Sequence, residues 1–221
     1  MKDFIYDPNL VFYADLTKRD GSAFISDDAS GHPCTVTGAT WDIQGRTFAG
    51  AEYISCGNNS RLDVTGQITQ IAWVKSTKAG DSVVTAKGDF AAAANTTFYW
   101  IVDTNSTHIT INTLRGAAGA TYTVTNATLI TSRWLCAAYT LDPATDTAVI
   151  YVDGNTIGTT ALFTATPSSE VADPLYIGAL QNGAGLINPF SGLMGEIFIY
   201  NRVLPPLEVQ NIYLKTKWRY Q

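Results

Sequence analysis

The sequence predicts an all-β sandwich of two antiparallel sheets followed by one short C-terminal helix. Segments of alternating apolar and polar residues recur along the chain, most clearly at Ser191 to Tyr200. Asp153-Gly154 lies between two such segments and is a strong hairpin signal, because both central residues of that turn need positive φ. Pro205-Pro206 ends the last strand and suits a first helical turn, after which Val209 and Ile212 follow at helical spacing.

The composition fits one domain over residues 1–221, since all-β sandwiches reach this length without splitting. Apolar residues make up 46% of the chain and charged residues only 15%, so neutral polar groups must cover much of the surface. The net charge of −5 gives no general attraction for phosphate backbones, which argues against nucleic-acid binding. The basic residues Lys215, Lys217 and Arg219 are interpreted as a solvated helix C-terminus.

The three cysteines indicate no disulfide framework. Cys34, Cys56 and Cys136 leave at least one thiol unpaired and match no zinc motif. A bridge between Cys34 and Cys56 stays open, whereas Cys136 is interpreted as a small buried hydrophobe.

No segment has the length and apolar character of a signal peptide or of a membrane span. The sequence therefore predicts no membrane insertion and, as written, synthesis without a secretion signal.

The strands are predicted where alternating or β-branched segments lie between turn residues. In chain order they are Leu10–Leu16, several short strands from Cys34 to Cys56, Gln67–Lys75, Thr97–Asp103, His108–Leu114, Ala120–Val124, Arg133–Leu141, Ala148–Ile157, Leu175–Leu180 and Ser191–Tyr200.

Four segments of the chain, one loop and three that contain predicted strands, carry a family resemblance. They are Asp28-Ala-Ser-Gly31, Ala72-Trp-Val-Lys75, Tyr151-Val-Asp-Gly154 and the closing run from Phe190 to Tyr213. In this order they resemble the laminin-G-like jelly rolls of the concanavalin A-like lectin/glucanase superfamily. The resemblance implies a jelly-roll sandwich with about six or seven strands in each sheet. That fold carries lectins, glycosidases, adhesins and structural modules, so it does not decide function.

Catalytic motifs are absent from the sequence. Glycosidases of this superfamily take two carboxyl groups about 5 Å apart from a glutamate-x-aspartate-x-x-glutamate strand. No glutamate of this chain has an aspartate two residues away; the glutamates are Glu52, Glu170, Glu196 and Glu208. The two histidines, His32 and His108, lie in no recognisable motif. The sequence therefore predicts a protein that is not an enzyme.

A structural calcium ion is the best cofactor candidate, because hard cations bind loop carboxylates and carbonyls. The resemblance implies a site formed by Asp28, neighbouring carbonyl groups and Glu196. Gly195 stands where the family usually has an aspartate, which removes one ligand. Alternatively, Asp28 caps its own loop by hydrogen bonds to nearby backbone groups.

Glycan recognition on β-sandwiches combines an aromatic platform with hydrogen-bonding side chains. Tyr99, Trp100, Asp103 and Asn105 are the candidate ligand-binding residues. Since Tyr99 and Trp100 are adjacent in a strand, they point to opposite faces, and at most one of them belongs to a binding face.

These observations favour a non-catalytic recognition or adhesion module on an exterior surface, with a glycan or a surface protein as ligand. The alternative is an accessory protein of a virus particle, such as a capsid decoration or tail component, whose partners would be capsid or tail proteins or further copies of itself. A cytosolic-style N-terminus on a fold usually used outside cells motivates that alternative. A third hypothesis, a glycoside hydrolase, requires distant carboxylates to converge. The expected location is extracellular or the virion surface.

Overall fold

The computed structural model describes residues 3–78, 80–91, 96–104, 109–115, 120–126, 133–161, 169 and 172–221. Within these ranges the chain forms two eight-stranded antiparallel sheets and a small separate hairpin. The strands are β1 Leu10–Asp15, β2 Ala23–Ile25, β3 Pro33–Thr37, β4 Thr40–Asp42, β5 Gly45–Ala49, β6 Tyr53–Ser55, β7 Ile68–Ser76, β8 Gly80–Gly88, β9 Thr96–Thr104, β10 Ile109–Arg115, β11 Ala120–Asn126, β12 Leu135–Asp142, β13 Thr147–Val152, β14 Asn155–Ala161, β15 Leu175–Ile177, β16 Leu180–Asn182, β17 Gly185–Ile187 and β18 Ser191–Tyr200. Helix α1 spans Pro206–Thr216, and 3₁₀ turns lie at Asp3–Tyr6, Ser60–Leu62 and Lys217–Arg219.

Strand β18 organises the first sheet, whose order is β14-β13-β12-β7-β18-β5-β4. One edge of β18 pairs with β7, while the other is shared by β5 at its beginning and β1 at its end. The second sheet has the order β11-β10-β9-β8-β15-β6-β3-β2, and β16 and β17 form the separate hairpin. The predicted sandwich of two antiparallel sheets is confirmed, with more strands in each sheet than expected.

Most of the predicted elements are present, but the sequence pattern does not predict β8. The turn at Asp153-Gly154 has positive φ at both residues, 51° and 75°, as expected for the hairpin between β13 and β14. Strand β8 carries polar residues on its buried side. Thr85 donates a hydrogen bond across the sandwich to Gln70, and the Lys87 ammonium lies 3.1 Å from the Asp63 carboxylate. Because polar residues stand at buried positions of β8, its sequence lacks the alternation of apolar and polar residues by which a strand is recognised.

Apolar residues form a main core between the sheets and two outer layers. The main core includes the fully buried side chains of Phe12, Trp100 and Tyr139. The second layer lies between the first sheet and helix α1, and the third lies beneath the β16–β17 hairpin. Because α1 and the residues after it pack on the outer face of the first sheet, side chains there such as Trp73 and Phe198 are buried. No helix in the described ranges has the length and hydropathy needed to cross a membrane.

The last residues of the chain pack on the first sheet. The Tyr220 ring stacks on Trp73 with centroids 4.3 Å apart and lies 4.8 Å from the Trp134 ring. Its hydroxyl accepts a hydrogen bond of 2.8 Å from the backbone N–H of Glu196. Arg219 forms ion pairs with Asp15 and Glu196. We call Arg219 and Tyr220 the C-terminal latch, since together they fix the tail to β1 and β18.

Candidate ligand-binding site

The predicted glycan patch around Tyr99 and Trp100 is not assembled as expected. Trp100 points into the main core, is fully buried and makes an edge-on contact with Tyr139, so it cannot contact a ligand. Tyr99 points to the opposite, outer face, as strand alternation predicts, but Phe90 packs edge-on against it and leaves it 7% exposed. The side chain of Asp103 and all of Asn105 lie outside the described residues.

Asp28 is a loop-capping residue in the structure. Its carboxylate accepts hydrogen bonds from the backbone N–H groups of Tyr13, Ser30 and Gly31 and from the Ser26 hydroxyl. The His32 ring nitrogen Nε2 lies 3.6 Å from the same carboxylate. The geometry of Asp28 therefore agrees with the alternative given for it above, a carboxylate that caps its own loop rather than a metal ligand.

Glu196 serves the C-terminal latch. This fully buried carboxylate accepts a hydrogen bond of 2.6 Å from the Tyr13 hydroxyl and lies 2.9 Å from Arg219 Nη1. Burial, together with the negative charges of Glu196 and Asp15, raises the pKa of Tyr13 far above its ordinary value, so its hydroxyl stays a donor. Burial alone would lower the pKa of Arg219, but Glu196 and Asp15 outweigh it and raise that pKa. The interpretation of Arg219 as part of a solvated helix end is therefore corrected.

Gly195 makes room for the latch. A Cβ atom at this position would lie 2.3 Å from the Tyr220 hydroxyl oxygen and 2.4 Å from its ring. Hence the aromatic ring of Tyr220 occupies the space that an aspartate side chain would need in the family pattern. Gly195 therefore both lacks the metal ligand that the resemblance implies and leaves room for the Tyr220 ring.

The carboxylates at the implied calcium site do not fit a bound cation. Asp28 and Glu196 contact opposite ends of Tyr13, the backbone N–H and the side-chain hydroxyl respectively, and both already accept protein donors. In the part of the chain that the structure describes, no three histidine, cysteine or acidic side chains converge as a metal site. This geometry argues against the calcium site that the resemblance implies.

Chelation tests the calcium prediction. We expect the melting temperature to be the same in calcium and in excess chelator, because the Asp28 carboxylate and Glu196 Oε1 already accept from protein donors and Arg219 places a positive charge beside Glu196. A site saturated at one hundred times its Kd would add about 2.7 kcal/mol, a shift of about 5–10 °C for a chain of this size. Differential scanning calorimetry distinguishes the two results, and a chelator-dependent fall of that size would establish the metal.

Two distant carboxylates do converge in the structure. Asp15 and Glu196 occupy directly opposed positions on β1 and β18, and Arg219 Nη1 lies 3.0 Å from one and 2.9 Å from the other. Retaining glycosidases use two carboxyl groups about 5 Å apart, and both must reach the substrate. Here Glu196 is fully buried, Asp15 is 7% exposed and Arg219 forms an ion pair with each of them. The two carboxylates therefore hold Arg219, and with it the C-terminal residues, against β1 and β18.

Two exposed tryptophans form the candidate site instead. Three of the five tryptophans are buried, but Trp41 is 40% and Trp218 67% exposed, and Ile43 beside them is 77% exposed. A cavity of about 520 Å³ lies here, lined by Thr17, Ile43, Gln44, Trp218 and Arg219. We call this cavity together with Trp41 the tryptophan cleft. Its volume is within the range of small-ligand sites.

Hydrogen bonds hold both indoles in place. Trp41 Nε1 donates to the carbonyl oxygen of Thr17 at 3.0 Å, and Trp218 Nε1 donates to that of Lys215 at 3.1 Å. The guanidinium groups of Arg19 and Arg219 lie 5.5 and 5.1 Å from the ring centroids of Trp41 and Trp218. Each indole is therefore held by a hydrogen bond from its N–H group, and one arginine guanidinium packs over its ring.

The buried carboxylates support the cleft indirectly. Asp15 and Glu196 hold Arg219, whose guanidinium packs on Trp218. Gln44 adds a second link, since its amide nitrogen donates to the Arg219 carbonyl oxygen at 2.9 Å. The position of the exposed indole thus depends on the C-terminal latch.

The sequence interpretation missed Trp41 and Trp218. A usable signal was present at the first, since Trp41-Asp-Ile-Gln-Gly45 places two large apolar residues at a tight turn where no core can cover them. Trp218 carries no comparable signal, because its exposure depends on how the latch residues on either side pack.

Two other surfaces are weaker candidates. A cavity of about 330 Å³ between the N-terminal turn and α1 includes Asp7 and Glu208, but Arg202 already binds both carboxylates. On the outer face of the second sheet, Tyr53 and Tyr176 form an edge-on pair with centroids 5.9 Å apart. Both rings are half-buried.

The closing strand, the short helix and the two large sheets define a lectin-like jelly roll. A family model for the concanavalin A-like lectin/glucanases superfamily, Laminin_G_3, matches residues 48–210. The chain belongs to that family, as the resemblance predicts. No curated protein matches the sequence significantly.

Solved structures with the same fold include domains of sialidases. A Trypanosoma rangeli sialidase mutant with trans-sialidase activity has a TM-score of 0.68 and 17% identity, covering 98% of this chain and 34% of that chain. The Ruminococcus gnavus IT-sialidase CBM40 has a TM-score of 0.63 and 15% identity, covering 76% of this chain and 95% of that chain. The CBM40 has also been solved with α2,3-sialyllactose bound. This chain spans about a third of the Trypanosoma enzyme, and at these identities the likeness shows the fold alone.

Proposed function

We propose that this chain is a non-catalytic recognition module that binds a glycan at the tryptophan cleft. The observation that carries the proposal is the exposed indole of Trp218 in the lining of a cavity of about 520 Å³, with the exposed indole of Trp41 hydrogen-bonded to the cavity-lining residue Thr17. Large aromatic side chains exposed in a concave surface typically mark a binding site.

The chemistry of the cleft suits a sugar. The apolar face of a pyranose ring packs against an indole, which offers a large, rigid surface. Thr17, Gln44 and Arg219 line the cavity. The Thr17 hydroxyl donates to Asp15, and the Gln44 amide bonds Trp134 and Arg219, but a hydroxyl and an amide each have further donor or acceptor capacity. A guanidinium has five N–H donors, so Arg219 can bind its two carboxylates and still reach a ligand oxygen.

The comparisons support a carbohydrate ligand at the level of the fold, since the similar CBM40 module has been solved with a sialylated sugar. The absence of catalysis is part of the proposal and is supported by the burial of the Asp15 and Glu196 pair under Arg219. The exterior location and the virus-particle alternative stay predictions.

Replacing Trp218 with alanine tests the site. We expect at least a tenfold loss of affinity for glycans that bind on a broad array, because a stacked aromatic platform is typically worth more than about 1.4 kcal/mol. Trp41→Ala should act in the same direction. The side chains are 67% and 40% exposed, so the fold should survive both changes. Titration calorimetry against the selected glycan gives the affinity, and circular dichroism gives the fold.

Phe90→Ala is the matched control, since Phe90 is 40% exposed like Trp41 and lies beside Tyr99 on the other sheet. Its affinity should stay unchanged. A loss with Phe90→Ala but not with either tryptophan variant would move the site to the outer face of the second sheet. Protein that binds no glycan on the array would overturn the proposal, and release of free sugar from a bound glycan would overturn its non-catalytic part.

A further inference from the structure

Cys34 and Cys56 face each other on neighbouring strands. Strand β3 pairs with β6 in the register Thr35 to Ser55, which places Cys34 opposite Cys56 at the next position. The backbone N–H of Cys56 donates to Leu175 on the other side, at 2.8 Å, so it points away from β3. The two cysteines therefore occupy a non-hydrogen-bonded pair, where Cα atoms lie about 4.5 Å apart and side chains approach closely.

This spacing suits a disulfide bond, which takes Cα separations of about 4.4–6.8 Å. Both side chains point into the main core, where their exposed fractions are 1% and 0%. The thiols hydrogen-bond each other, and Cys34 also lies 3.5 Å from the carbonyl oxygen of His32. All three cysteines are thiols in the structure.

We propose that Cys34 and Cys56 form a cross-strand disulfide when the protein meets an oxidising environment. A low-molecular-weight disulfide such as glutathione disulfide is the oxidant. The thiolate of one cysteine attacks it, forms a mixed disulfide and releases one thiol. The second thiolate then attacks the cysteine sulfur of that mixed disulfide, closes the Cys34–Cys56 bond and releases a second thiol. Two cysteines are oxidised, one external disulfide is reduced, and the two cysteine protons end on the released thiols.

The folded state slows the first step. Burial, and then the hydrogen bond with Cys34, raise the pKa of the Cys56 thiol well above its ordinary value. Access requires local opening, and the position of the pair allows it. Among the strands that the structure describes, β3 is bordered on its far side by β2 alone, a three-residue edge strand with two exposed residues. Edge elements of this kind open more readily than central strands.

Peptide mapping after oxidation tests the proposal. Reduced full-length protein is incubated at pH 8 with glutathione disulfide, the remaining thiols are alkylated, and the protein is digested with trypsin. We expect a linked pair of the peptides Asp20–Arg46 and Thr47–Arg61, with Cys136 alkylated. The closed loop of about 20 residues should raise the melting temperature by about 5–10 °C.

Cys136→Ser is the control, since it should leave the bridge unchanged, whereas Cys34→Ser and Cys56→Ser should each abolish both the linked peptides and the rise in melting temperature. Three alkylated cysteines after prolonged oxidation, a bridge that includes Cys136, or glutathione adducts that do not resolve would each overturn the proposal. The mapping uses the unmodified chain, so poor folding of a variant does not affect it.

Discussion

Arg219→Ala is expected to lower the free energy of unfolding by about 3–5 kcal/mol, the usual cost of leaving a buried charge unpaired. Glu196 is fully buried and directly opposes Asp15 across β1 and β18, and Arg219 contacts both carboxylates. Without the guanidinium, two acidic groups share one site with no cation between them. Urea denaturation followed by tryptophan fluorescence measures the loss.

The loss in this variant has an electrostatic cause that can be tested separately. Two like charges that face each other at a buried site repel, and the substitution leaves no opposite charge between them. Adding Glu196→Gln should recover part of the loss, since one of the two charges is removed.

Arg133→Ala provides the contrast, because the Arg133–Asp153 ion pair is exposed at the surface. Such pairs contribute less than about 1 kcal/mol. If Arg219→Ala costs no more than this control, the latch does not stabilise the first sheet.

Gly195→Ala is expected to cost about 2–4 kcal/mol, combining overpacking with the loss of aromatic contacts. The new Cβ would lie 2.3 Å from the Tyr220 hydroxyl oxygen, and Gly195 does not have positive φ, so the cost is steric. Tyr220 must leave its place between Trp73 and Trp134, which exposes both indoles. Thermal unfolding and the fluorescence emission maximum report the two effects together.

A double-mutant cycle isolates the cause. In a Tyr220→Ala background the added methyl group meets no ring, so Gly195→Ala should cost little there. Gly21→Ala is the matched glycine control, because a Cβ at Gly21 meets no atom within 4 Å. An equal cost of Gly195→Ala in both backgrounds would contradict the steric explanation.

The fold could be predicted from the sequence because its signals are local. The alternation from Ser191 to Tyr200, the Asp153-Gly154 turn and the two prolines before α1 each specify one element through side-chain period or allowed φ. Strand β8 was missed for a physical reason, since Thr85 and Lys87 are buried through partners on distant segments. Polar residues satisfied by tertiary contacts carry no sign of burial in the sequence.

The candidate site could not be predicted in the same way, because it joins segments far apart in the chain. Strand alternation correctly separates Tyr99 from Trp100, but it cannot show that Phe90 covers Tyr99. The roles of Glu196 and Arg219 depend on the approach of β1 and the tail to β18. The resemblance implies a role for Glu196, but its contact with Arg219 could not be predicted from the sequence.

The pairing of β1 with β18 has a kinetic consequence. Leu10 pairs with Tyr200, so the first sheet joins segments near opposite ends of the sequence. Loops of this length close slowly, and folding dominated by such contacts takes milliseconds to seconds. During synthesis, β1 cannot pair until β18 has emerged, and the facing carboxylates of Asp15 and Glu196 remain without their cation until Arg219 follows. A slow refolding phase sensitive to Arg219→Ala would mean that docking of the tail is part of the rate-limiting step.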